Sequence, residues 1–157
     1  MPITKHLRHA IALSIWLTPY SAQADDITIK GYNQLLDMDC ADVGVIVEGV
    51  KHGLNFTGDC VSMTVSGVEN MIDFETADTI MLEGSANRLQ GALAGAGPES
   101  GPDVTLSGSD NVLTLRFDRP AVVKISGSGN RLVWAMAPGV TKPDIRITGE
   151  NNMAENE

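Results

Sequence analysis

Apolar and polar residues alternate along this chain in short bursts, and the bursts come in pairs separated by a glycine. The clearest copies are VTLSGSDN, Val104 to Asn111, and VKISGSGN, Val123 to Asn130. Alternation with a period of two predicts β-strands that bury one face. Before the glycine the inward positions read Ile27 and Ile29, Val45 and Val47, Met63 and Val65, Ile80 and Leu82, Val104 and Leu106, Val123 and Ile125, Ile145 and Ile147. After it the alternation resumes with Leu36 and Met38, Leu54 and Phe56, Ile72 and Phe74, Leu89, Leu113 and Leu115, Leu132 and Trp134.

Aligning on the glycine gives Gly31, Gly49, Gly67, Gly84, Gly108, Gly127 and Gly149, spaced by 18, 18, 17, 24, 19 and 22 residues. Self-similarity at about 20 residues is the signature of a solenoid. Three positions after each glycine stand Gln34, His52, Asn70, Asn87, Asn111, Asn130 and Asn152, so Gln34 and His52 depart from an asparagine column. Glycine and asparagine adopt left-handed backbone most readily, and G-x-x-N is therefore expected to be a corner joining two short strands. The expected fold is all-β: one parallel β-helix of about seven short coils, two strands per coil, right-handed, with the corner asparagines stacked as a hydrogen-bonded ladder. A curled antiparallel sheet is the competing architecture, but it would not require equivalent corners in every copy. The solenoid is expected over residues 25–152, followed by a polar C-terminal tail, 153–157.

The repeat resembles that of a bacterial exported family known as domain of unknown function 3060, whose members repeat β-apolar, any, β-apolar, any, Gly, Ser, any, Asn. The residues that carry the resemblance are ITIKGYNQLLDMDC (Ile27 to Cys40), the NFTGDC ending at Cys60, and the copies VSGVENMI, LSGSDNVL and ISGSGNRL. They run from 27 to 152. The resemblance implies the fold and export; it implies no reaction, because no activity is attached to the family. Many members look like lipoproteins, whereas this chain has no cysteine near the end of its leader, so lipid anchoring is not expected.

Residues 1–24 carry Lys5 and Arg8, an apolar run from Ala10 to Leu17, and Ala22-Gln23-Ala24 before Asp25 and Asp26. This is the pattern of a secretory signal peptide cleaved after Ala24, and its apolar run is well short of the roughly 20 residues of a spanning helix. Export implies a periplasmic or secreted protein with no transmembrane segment in its mature form. Loss of Lys5 and Arg8 takes the formal net charge from −9 to −11. No basic footprint for nucleic acid or anionic lipid remains.

Cys40 and Cys60 are 20 residues apart, close to one coil. Residues one coil apart sit on neighbouring rungs, within the Cα separation of about 4.4 to 6.8 Å that a disulfide accepts, and a bridge suits an oxidising compartment. A metal or redox pair is disfavoured, since there is no C-x-x-C and His52 alone completes no zinc site. With no serine or cysteine nucleophile in prospect, His52 reads as a polar substitute in the asparagine ladder rather than a triad member.

The remaining material for chemistry is carboxylate. Outward positions of the second strand place Asp37, Asn55 and Asp73 in one column with Asp39 and Glu75 beside it. Asp37 and Asp73 would stand two coils apart, about 9.5 Å, at the upper edge of the separation used by inverting glycosidases. The same hard oxygen donors would suit calcium; a solvated acidic face is the plainer reading, and no cofactor is otherwise expected. Of the aromatic residues after the leader, alternation turns Phe56, Phe74, Phe117 and Trp134 inward and leaves Tyr32 outside, which disfavours sugar stacking. The outward column Thr28, Ile46, Thr64, Met81, Thr105, Lys124 and Arg146 is too irregular for an ice-binding array.

Two copies are long, and both gain their residues after the second strand, in Gly91 to Asp103 and Ala135 to Asp144, with Arg116, Asp118, Arg119 and Pro120 at the intervening corner. Insertions of this kind gather on one face of a repeat protein, often the binding face. The expected function is that of a monomeric, non-catalytic envelope module for a protein or polysaccharide partner. A polysaccharide-active enzyme, calcium-dependent adhesion and self-assembly through the solenoid ends are the alternatives.

Overall fold

The computed structural model describes residues 25–95, 97 and 103–157. The leader expected at 1–24 and most of 96–102 lie outside the described residues. Among them the chain forms strands and no helix. One sheet, here sheet A, contains β1 (Ile27–Tyr32), β3 (Gly44–Val50), β5 (Ser62–Val68), β7 (Ile80–Ser85), β9 (Val104–Ser109), β11 (Val122–Ile125) and β13 (Asp144–Ile147) in that spatial order. Sheet B contains β2 (Leu35–Asp39), β4 (Gly53–Cys60), β6 (Met71–Ala77), β8 (Arg88–Leu93), β10 (Val112–Phe117), β12 (Arg131–Met136) and β14 (Met153–Asn156). Neighbours within each sheet are parallel, so the chain alternates between sheets and climbs one rung per coil. This is the expected β-solenoid, and the antiparallel alternative is excluded.

The expected register is realised. Gly31, Gly49, Gly67, Gly84 and Gly108 pair in series, and so do Leu36, Leu54, Ile72 and Leu89 on the other sheet. Val45, Val47, Met63, Val65, Leu82, Leu106 and Ile125 from sheet A meet Leu54, Phe56, Ile72, Leu89, Leu113, Leu115 and Leu132 from sheet B in one buried column. Each such side chain contributes roughly 1.5 to 3 kcal/mol before chain entropy is subtracted. Two inward positions are exposed, Leu36 and Ile147. Both lie on end strands, where one side has no neighbouring coil.

The structure corrects two expectations. The segment 153–157 is not a polar tail: Met153–Asn156 is β14, paired with β12 through Arg131↔Met153 to Trp134↔Asn156. Its alternation is too short and too polar to read as a strand, and it forms because the exposed edge of β12 supplies the hydrogen-bonding partners. The second correction concerns the corner. Its left-handed residue is not the asparagine but the one before it: Asn33, Lys51, Glu69, Ala86, Asp110, Gly129 and Asn151, with φ between 52° and 68°. That frees the asparagine to turn its side chain inward, where Asn70, Asn87, Asn111 and Asn130 are buried.

There the amides form the expected ladder. The backbone N–H groups of His52, Asn70, Asn87, Asn111 and Asn130 each donate to the side-chain oxygen of the next coil's asparagine at 2.9–3.1 Å. Each asparagine Nδ2 donates back to the preceding coil's glycine carbonyl, as from Asn87 to Gly67 and from Asn111 to Gly84. Both halves of the amide are thereby satisfied away from water, as burial requires.

Candidate functional site

His52 occupies the ladder as a substitute. Its Nδ1 accepts the backbone N–H of Gln34 at 3.2 Å, as an asparagine oxygen would. The proton therefore sits on Nε2, which is buried with no hydrogen-bond partner among the described residues. Gln34, on the first coil, folds its amide back onto its own Lys30 carbonyl at 3.0 Å. The two departures from asparagine are thus the start of the ladder.

Cys40 and Cys60 form a disulfide with a Cα separation of 4.9 Å. It joins the ends of β2 and β4 and ties the first coil to the second.

The carboxylate column has the expected register, Asp37↔Asn55↔Asp73, and continues to Gln90. All of these side chains are exposed on the outer face of sheet B. The flanking acids are occupied by the backbone: Asp39 accepts from the Ala41 N–H and Glu75 from the Gly58 N–H, both at 2.9 Å. Glu75 reaches Gly58 because β4 carries an extra residue between Phe56 and Asp59, a bulge that the alternation does not reveal. Among the described residues no three His, Cys, Asp or Glu side chains converge as ligands for a metal ion.

The loop-bearing edge holds the most highly connected charged group. Arg119, at the corner between β10 and β11, donates from Nη1 to Asp103 at 2.6 Å, from Nη2 to the Asp78 carbonyl at 2.7 Å and from Nε to the Ala94 carbonyl at 3.0 Å. Asp103 in turn accepts the Val122 N–H through its second oxygen. The side chains of Arg119 and Asp103 are only 16% and 9% exposed. One guanidinium therefore links three successive corners, those following β6, β8 and β10. Asp78 lies in the same cluster, where burial pushes its carboxyl above the ordinary carboxylate range; Arg119 opposes that shift and Asp59 reinforces it. Beside the pair opens a shallow cavity of about 420 Å³ whose far wall is Lys142 and Asp144.

The sequence placed Arg119 at this edge but not its pairing with Asp103, because the two meet across 16 residues that double back through β9 and β10. A second feature missed in the sequence is apolar. In the first column of sheet B after the corner, Leu35, Gly53 and Met71 align. The outward parity of Leu35 and Met71 was the available signal.

Fold and surface together define a parallel β-solenoid with an internal asparagine ladder and a single cross-coil disulfide. Residues 47–97 match the model of a family described as protein of unknown function, DUF3060, so the resemblance to that family is shown over this segment. The match runs from β3 into the connection after β8. No curated protein and no solved structure matches the chain.

Proposed function

We propose that this chain is an exported, non-catalytic module of the cell envelope that binds another envelope protein or a surface polymer through its loop-bearing edge. The observation that carries the reading is the Arg119 cluster. Loops free to drift need no buried cation, yet Arg119 and Asp103 hold this edge in one arrangement at a desolvation cost that only full hydrogen bonding offsets. The Cys40–Cys60 bridge supports an oxidising compartment, and among the described residues no helix is long and apolar enough to cross a membrane.

The test is retention of envelope components on the immobilised, oxidised protein, with a variant in which 137–143 is shortened to a turn. Loop-dependent retention supports the proposal, and retention indifferent to the loop sinks it. The alignment of Asp37 with Asp73 is the observation that favours a polysaccharide-active enzyme instead. That reading requires turnover of some glycan, abolished by Asp73→Asn.

A further inference from the structure

The outer face of sheet B carries a docking feature separate from the loop edge. Leu35 and Met71 project into solvent from β2 and β6, 82% and 57% exposed. Between them Gly53 presents no side chain, which leaves a notch of about 260 Å³ over β4. The end of Leu35 covers the glycine, since a Cβ on Gly53 would lie 2.6 Å from Leu35 Cδ2, so the notch opens between Leu35 and Met71. Large aliphatic side chains held in water around a notch mark a contact surface rather than scattered exposure.

Charge selects the occupant. The neighbouring column is Asp37, Asn55 and Asp73, and neither carboxylate is ion-paired among the described residues. A second copy packed about a twofold axis through Gly53 parallel to the strands would set Leu35 against Met71, but it would also set Asp37 against Asp73, a like-charge contact. A basic partner meets complementary charge at both carboxylates, and the cation Arg88 lies one coil beyond Met71.

We propose that the notch docks a basic amphipathic segment of another protein, with one aliphatic or aromatic side chain between Leu35 and Met71 and two Lys or Arg side chains facing Asp37 and Asp73. The coil rise of about 4.8 Å is close to the helical pitch of about 5.4 Å. A helix lying along the solenoid axis turns the residues three before and four after the anchor to one side, beside the two carboxylates. This surface shares with the loop-edge reading only the premise that the protein binds other proteins.

The probe is a fluorescent helical peptide with one leucine, a lysine three residues before it and a lysine four residues after it in an alanine background, titrated against the oxidised protein by anisotropy. Saturable binding is expected, about tenfold weaker for Leu35→Ser with Met71→Ser and for Asp37→Asn with Asp73→Asn, and absent when the peptide leucine is serine. All four substituted side chains are exposed, and unchanged melting temperatures verify that the variants fold. No binding, binding that survives both pairs of substitutions, or equal binding of a peptide with glutamates in place of lysines overturns the proposal. So does concentration-dependent self-association abolished by Leu35→Ser, which would assign the notch to a second copy. If the peptide fails to bind while loop-dependent envelope retention persists, the notch proposal falls and the loop-edge reading stands.

Discussion

A side chain on Gly67 would overlap the carbonyl oxygen of Gly49 on the coil below. The collision recurs at Gly49, Gly84, Gly108, Gly127 and Gly149, each against the preceding glycine, whereas on Gly31 the nearest atom is Gln34 Nε2 at 3.8 Å. Stacked carbonyls therefore demand the repeated glycine as much as the backbone angle does. Gly67→Ala should cost about 3 kcal/mol or more. Gly31→Ala, which meets only the unfavourable left-handed backbone, should cost about 1 to 2 kcal/mol. Urea denaturation of the two variants measures the difference, and equal losses would refute the stacking explanation.

The ladder makes predictions of opposite sign at two of its rungs. Asn111→Ala leaves the buried Asn87 N–H without a partner and takes one donor from the Gly84 carbonyl, and should destabilise by about 2 to 3 kcal/mol. His52→Asn keeps the acceptor for Gln34 and replaces an orphaned donor with one that can reach the Gly31 carbonyl. It should stabilise by about 1 kcal/mol, read as a rise in melting temperature.

Removing the Arg119 guanidinium strands a buried carboxylate and two carbonyls. Arg119→Met should destabilise by about 3 to 5 kcal/mol, and Arg119→Lys should recover little, since an ammonium cannot span Asp103, Ala94 and Asp78 as the planar fork does. Hydrogen exchange should locate the loosening at the corners after β6, β8 and β10. Exchange rates unchanged at the first two corners would show that the guanidinium does not link them.

Asp78 supplies a pH dependence whose sign follows from its raised pKa. The unfolded chain releases this proton near the ordinary aspartate value of 3.8, while the folded protein holds it to higher pH. Asp78 therefore contributes most to stability below 3.8 and loses that contribution as pH rises through its folded pKa. Asp78→Asn should match the parent in strongly acidic solution and exceed it at neutral pH. Thermal melts across the acid range measure the crossover, and a gain of equal size at every pH would exclude the linkage.

The parallel coil, the inward columns, the stacked asparagines and the Cys40–Cys60 bridge were all legible in the sequence. A period-two pattern repeated at nearly constant spacing leaves a chain one way to bury Val47, Val65 and Leu82 together, and residues one period apart then fall on adjacent rungs. What was misread had no such repetition behind it. The left-handed position holds lysine, glutamate, alanine and aspartate as well as asparagine and glycine, so composition concealed it. The last strand, Met153–Asn156, carries almost no pattern of its own.

By itself, then, the sequence determined the solenoid and, up to the bulges in sheet B, its register and outward columns, because local alternation and repeat length are properties of the chain alone. Only the tertiary structure decided that Arg119 closes on Asp103, Asp78 and Ala94, that Glu75 caps a bulge at Gly58, and that Leu35 folds over Gly53 to leave a notch beside Met71. Each depends on how far one corner or side chain reaches across a neighbouring coil. That distance is set by packing in three dimensions, and no spacing along the chain encodes it.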